Sequence, residues 1–102
     1  MEEQVKEKDF ENKLVKPFLK SLNKCWFFKV HSGSIFQQAG IPDIVGVVNG
    51  KFIALELKAE KGTPSELQLR AIRLINAAGG YGKIVYPSNW QEIKEELRRL
   101  DV

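Results

Sequence analysis

Gly40-Ile41-Pro42-Asp43-Ile44-Val45-Gly46-Val47-Val48-Asn49-Gly50-Lys51-Phe52-Ile53-Ala54-Leu55-Glu56-Leu57-Lys58 carries the pattern from which the rest of the chain is read. Two runs of β-branched and apolar residues flank Asn49-Gly50, a pair that readily takes the positive φ angles of a type I′ turn, so the stretch reads as a β-hairpin. With Asn49 and Gly50 as the loop, Val48 faces Lys51. Each outward step then pairs residues whose numbers sum to 99, which sets Asp43 opposite Glu56. Directly opposed side chains in an antiparallel pair stand about 4.5–5.5 Å apart at Cβ, and like charges there are destabilising. Lys58, two residues past Glu56, projects from the same face, diagonal to Asp43. Apart from these residues and Lys51 both faces are apolar: Val45, Val47, Phe52 and Ala54 on one, Ile44, Val48, Ile53, Leu55 and Leu57 on the other. Such strands belong in a sheet covered on both sides. Two acids and a lysine at one end of the most buried hairpin carry a cost, and a divalent cation held between the carboxylates would remove it. The plainer reading has Asp43 ending a turn after Pro42, with Glu56 and Lys58 as solvated strand ends.

Toward the N-terminus, Phe10, Leu14, Val15, Phe18, Leu19 and Leu22 recur at helical spacing from about Asp9 to Asn23, while Lys13, Lys16, Lys20 and Lys24 recur on the opposite side. This predicts an amphipathic helix with a basic stripe, bent or split at Pro17, whose ring conflicts with the carbonyl four residues earlier. Glu11 falls inside the apolar arc, either as a site residue or snorkelling near the first turn. The lysines are either a solvated face or a surface for nucleic-acid phosphates. Between helix and hairpin, Cys25-Trp26-Phe27-Phe28-Lys29-Val30 reads as a strand. The loop that leaves it offers the hydroxyls of Ser32 and Ser34, and the Gly33 backbone, to a phosphate, a weak signal in so short a loop.

Toward the C-terminus, a charged loop containing Lys61 leads to Thr63-Pro64-Ser65-Glu66, which reads as a helix start with Thr63 as N-cap and Glu66 completing a capping box. The helix runs to Ala78, its buried stripe made of Leu67, Ala71, Leu74, Ile75 and Ala78, with Gly79-Gly80 as a left-handed stop. Gln68 lies between Ile72 and Ile75 on the helical wheel and faces inward near Lys58, to satisfy a backbone group or to serve the site. Gly82 to Pro87 reads as a further strand, and Ser88 opens a last helix with Trp90, Ile93, Leu97 and Leu100 as its apolar stripe. The order α-β-β-β-α-β-α, with a helical connection between the last two strands, predicts an α/β domain spanning residues 1–102: a mixed sheet sandwiched between helices.

Bulk properties bound the function. A net charge of +3 permits nucleic-acid binding without demanding it. The single cysteine, Cys25, excludes an intrachain disulfide and fits a reducing cytosol. Met1-Glu2-Glu3-Gln4 lacks the apolar core of a signal peptide, and no run approaches membrane-spanning length. The expectation is a soluble cytoplasmic protein with no membrane partner.

With Glu11, Pro42-Asp43, Glu56-Leu57-Lys58 and Gln68 in this order and spacing, the sequence resembles the PD-(D/E)XK nuclease superfamily and, within it, the small stand-alone VRR-NUC domains of phage and bacterial type. The resemblance covers nearly the whole chain. It implies a restriction-endonuclease-like αβββαβ core, a phage or bacterial host cell, and metal-dependent endonucleolytic hydrolysis of DNA. By position, Asp43 and Glu56 would bind Mg²⁺ or Mn²⁺ with the Leu57 carbonyl as a third ligand. Lys58 would orient or help activate the attacking water, Glu11 would support the metal site, and Gln68 would contact the substrate or the lysine. The resemblance implies a structure-selective nuclease, acting on branched DNA such as four-way junctions, where some similar domains work as dimers. Oxygen ligands select hard cations, and a carboxylate-bound divalent ion beside a lysine suits phosphodiester hydrolysis on physical grounds as well. Lys16, Lys20, Lys24, Ser32, Ser34 and Lys61 are the candidate DNA contacts. The aromatic surplus of Trp26, Phe27, Phe28, Phe36 and Trp90 fits either the core or a homodimer interface. The alternatives are a nuclease directed to flaps, ends or single strands, a non-cleaving DNA-binding module of the same fold, and a small structural domain whose acids are surface decoration.

Overall fold

Asn49 (φ 47°) and Gly50 (φ 85°) both take positive φ, the geometry of a type I′ turn whose twist matches that of the strands it joins. The strands are β2 (Ile44–Val48) and β3 (Lys51–Leu57), paired antiparallel from Val48 with Lys51 out to Ile44 with Leu55. The computed structural model describes residues 6–31 and 39–102; Ser32, Ser34 and Phe36 lie outside them. Strand β1 (Cys25–Lys29) pairs antiparallel with β2, and β4 (Tyr81–Val85) pairs parallel with β3, giving a mixed sheet in the order β1-β2-β3-β4. The parallel pair is joined by helix α3 (Glu66–Ala77), as parallel strands require a long crossover. A single 3-10 turn (Pro87–Asn89) then leads to the last helix, α4 (Trp90–Leu100).

The chain before β1 forms one helical stretch: α1 (Glu7–Phe10), a π-helical turn (Glu11–Val15) and α2 (Lys16–Ser21). Pro17 neither splits it nor ends it. The wider π turn, in which the Lys16 N–H donates to the Glu11 carbonyl, lies just ahead of the proline ring, where an α-helical carbonyl would crowd it. The same turn shifts the buried phase. Phe10, Val15 and Leu19 are buried, so the first interval is five residues where an α-helix would place three or four, and Leu14, expected inside, is 48% exposed.

One face of the sheet is dry. Ile44, Val48, Ile53, Leu55, Leu57 and Val85 are fully buried against Phe10, Val15 and Leu19 of the first helical stretch and Trp90, Ile93 and Leu97 of α4. Phe10 and Phe18 meet the Trp90 ring edge-on, with centroids 5.8 and 5.4 Å away. The other face is covered by α3 over β3 and β4, where Gly82 brings the helix close: a Cβ there would sit 3.4 Å from both the Ile72 carbonyl oxygen and Ile75. Toward β1 the cover is incomplete, and Trp26, Phe28 and Phe52 remain exposed on this face. The sandwich is therefore uneven.

Helix α3 also departs from the sequence reading in its cap and its stripe. Ser65 is the N-cap, two residues beyond Thr63: its Oγ accepts from the Gln68 N–H, and its own N–H donates to Gln68 Oε1. Ile72 is the buried residue and Leu67 and Leu74 are exposed, because the helix leans on the sheet along its Gln68-Ile72-Ile75 edge. Its end is the expected left-handed stop, with Gly79 at φ 96° and the Gly80 N–H returning to the Ile75 carbonyl at 2.9 Å. No helix among the described residues is long and apolar enough to cross a membrane.

Candidate active site

The ladder between β2 and β3 ends at Ile44 and Leu55, and the same register continued sets Asp43 beside Glu56 and Pro42 beside Leu57. Asp43 is held in place twice. Its carbonyl accepts from the Val30 N–H at 2.7 Å, extending the β1 edge, and its Oδ2 accepts from the Leu57 N–H at 2.8 Å. Pro42 matters through what it lacks. A residue in an extended strand aims its N–H and C=O toward the same neighbour, so the Leu57 carbonyl also points to the Asp43 side. Proline has no N–H to give it. The strand end thus sets the Asp43 and Glu56 carboxyls together beside the Leu57 backbone.

Glu56 is the most unusual of these groups. It is 2% exposed, its Oε2 accepts from Gln68 Nε2 at 3.1 Å and lies 3.7 Å from Lys58 Nζ, and as an ionised acceptor its buried Oε1 has no donor among the described residues. Burial and then the charge of Asp43 push its carboxyl up to about 8, with Lys58 pulling the other way. With its carboxyl raised this far, Glu56 keeps its proton near neutral pH and shares it with Asp43 as a hydrogen bond. Gln68 is fixed by the cap of α3, since the oxygen that closes the capping box leaves the amide nitrogen aimed at Glu56. Lys58 packs its stem beside Gly62, where a Cβ would stand 3.4 Å from the lysine Cβ and Cδ.

A second cluster adjoins the first. Glu11, inside the π turn and nearly buried, places Oε1 2.5 Å from Lys29 Nζ and Oε2 3.0 Å from Lys16 Nζ. Lys29 Nζ also lies 3.8 Å from Asp43 Oδ1. Burial would raise the Glu11 carboxyl, but the two lysines overcome it and hold it below the usual range. Burial alone would lower the Lys29 ammonium, but Glu11 and Asp43 raise it. Glu7 stands close enough that burial and then the Asp43 charge raise its carboxyl.

Asp43, Glu56, Leu57, Lys58 and Gln68 are therefore brought together as expected, and Glu11 joins them only through Lys29. The basic stripe is not continuous. Lys16 turns inward to Glu11 and Lys20 is exposed, while Lys24 donates from Nζ to the Val102 carbonyl at 2.9 Å, next to the Asn49-Gly50 turn at the opposite end of the hairpin. Lys61 is exposed in the loop after Lys58. Two neighbours, Lys29 and Glu7, were not singled out from the sequence. The strand pattern showed Lys29 only as the polar end of an aromatic run, and no tight turn fixes the register of β1. Among the described residues no group of three or more His, Cys, Asp and Glu side chains is placed to hold a metal ion. The oxygens for a cation are those of Asp43, Glu56 and the Leu57 carbonyl. These are hard oxygen donors, of the kind Mg²⁺ and Mn²⁺ take, and among the described residues Glu56 Oε1 has no partner other than Asp43. No protein-family model, curated protein or solved structure matches the chain.

Proposed function

We propose that the chain is a Mg²⁺- or Mn²⁺-dependent endonuclease that hydrolyses DNA phosphodiester bonds, related to the PD-(D/E)XK superfamily that the motif order resembles. The observation that carries this reading is the buried Asp43–Glu56 carboxyl pair at the strand end, which shares a hydrogen bond with the Glu56 carboxyl pushed up to about 8 and gives Glu56 Oε1 no other partner among the described residues; a divalent cation would take the place of the shared proton. A divalent ion held by Asp43, Glu56 and the Leu57 carbonyl supplies charge neutralisation at the phosphate and a nucleophilic water near neutral pH. The Leu57 N–H orients Asp43 through Oδ2, and Gln68 fixes Glu56 through Oε2. Lys58, 3.7 Å from Glu56, keeps positive charge where oxyanion charge develops on the attacked phosphate. Lys20 and Lys61 are left exposed to receive the DNA backbone.

On the same resemblance the substrate is branched DNA and the working unit a homodimer, since two nicks in a four-way junction need two sites. The exposed Trp26, Phe28, Phe52, Leu67 and Leu74 supply apolar surface for a second copy. The deciding experiment incubates labelled junctions, flaps, duplexes and single strands with Mg²⁺ or Mn²⁺, with Asp43→Asn as control and light scattering at micromolar concentration. Cleavage that requires metal and Asp43 supports the chemistry. A strict monomer that cuts flaps and leaves junctions whole refutes the dimeric junction reading and leaves the chemistry standing.

A further inference from the structure

We infer that Lys29 is a positioning residue that competes with the divalent cation for Asp43, and that Glu11 serves the site by holding Lys29 back and is not itself a ligand. The cation is that of the proposed nuclease site; the rest follows from the ion pairs. Both oxygens of Glu11 are taken, one by Lys29 at 2.5 Å and one by Lys16 at 3.0 Å, and charge-assisted pairs of this length are strong. Each oxygen keeps a second lone pair, but a cation bound there would stand against two ammonium groups at contact distance. At Asp43 the Oδ2 accepts from the Leu57 N–H, the carboxyl shares with Glu56 a hydrogen bond that a bound cation would replace, and Oδ1 is the oxygen Lys29 Nζ approaches to 3.8 Å. The closer Glu11 keeps the ammonium, the less of its charge reaches Asp43. Glu11 can hold the ammonium there because it lies buried at the start of the π turn, next to Phe10.

The test is a double-variant cycle read by Mn²⁺ binding to the full chain without DNA, using calorimetry and the electron paramagnetic resonance of free Mn²⁺. Lys29→Met keeps the apolar stem and removes the charge, and is expected to tighten Mn²⁺ binding about tenfold, at the low end of what neighbours of ligands contribute. Glu11→Gln frees Lys29 to give its charge to Asp43 and is expected to loosen binding by about the same factor. In the doubly substituted chain the loss should vanish, leaving the affinity of Lys29→Met alone. Thermal unfolding without metal checks that each variant is folded, and Lys29→Gln replaces Lys29→Met if the latter is not. The inference is overturned if Glu11→Gln still weakens binding in the Lys29→Met background, since Glu11 would then be a ligand, or if Lys29→Met binds no tighter than the parent. Either result, with Mn²⁺ still binding the parent chain, leaves the nuclease reading intact. A parent chain that binds no Mn²⁺ removes both.

Discussion

Glu56→Gln separates two effects carried by one side chain. It preserves shape and the contact with Gln68 but removes a charge that is buried next to Asp43. It should abolish metal-dependent nicking, as should Asp43→Asn, while the metal-free protein becomes more stable at pH 8; wild-type-like nicking by both purified variants would sink the assignment. The pH dependence follows from the same group. Its carboxyl titrates near 8 when folded against 4.5 for the ordinary group, so between those values the folded chain binds protons that the unfolded chain has released. Stability must then fall as pH rises from about 4.5 to 8 and level off above, by as much as roughly 5 kcal/mol from Glu56 and its Asp43 neighbour. Glu7, raised in the same direction, adds to the slope, whereas Glu11, lowered by Lys29 and Lys16, acts with opposite sign and only in the acid range. Urea midpoints at pH 5, 6, 7 and 8 should drop steadily for the parent and much less for Glu56→Gln, and saturating Mg²⁺ at pH 8 should recover most of the loss. An undiminished slope in Glu56→Gln would assign the effect elsewhere.

At the scale of elements, two glycines of one hairpin show different physics. Gly50 needs its positive φ of 85° and has open space around it, so Gly50→Ala should cost only the left-handed backbone strain, about 1–2 kcal/mol. At Gly46 a Cβ would stand 2.2 Å from the Trp26 carbonyl oxygen and 2.6 Å from Phe27 Cα. Gly46→Ala should therefore force β1 away from β2 and cost more than about 3 kcal/mol, at the upper end of overpacking penalties. Equal denaturation midpoints for the two variants would contradict this. The turn was legible because Asn49-Gly50 is a local signal whose conformation needs no partner. The gap beside β1 was not, since nothing near Gly46 in the sequence says which backbone will lie against it. The cap of α3 was misplaced for a related reason: Thr63-Pro64 and Ser65-Glu66 are both plausible starts, and Gln68, bound to Ser65 on one side and to Glu56 on the other, selects the second.

Across the whole molecule the charges are distributed less simply than the helical wheel suggests. In DNA-binding titrations with the non-cleaving Asp43→Asn chain, Lys20→Ala and Lys61→Ala should each flatten the dependence of log K on log salt by about 0.9 per lost phosphate contact, while Lys16→Ala and Lys24→Ala leave the slope unchanged. A slope that falls for Lys16→Ala as much as for Lys20→Ala would restore the continuous stripe. What the sequence by itself determined is everything that repeats locally or is fixed by counting. The type I′ turn and its register place Asp43 beside Glu56, the apolar runs on either side of it give the two central strands, and the helical period locates the α3 and α4 helices. Only the tertiary structure decided where Lys29 and Glu7 stand relative to Asp43, that a π turn rotates Leu14 outward, and that Trp26, Phe28 and Phe52 remain exposed on their face of the sheet. These depend on contacts between segments far apart in the chain, where a shift of one residue in register or one turn in phase changes every neighbour while leaving the local pattern as it was.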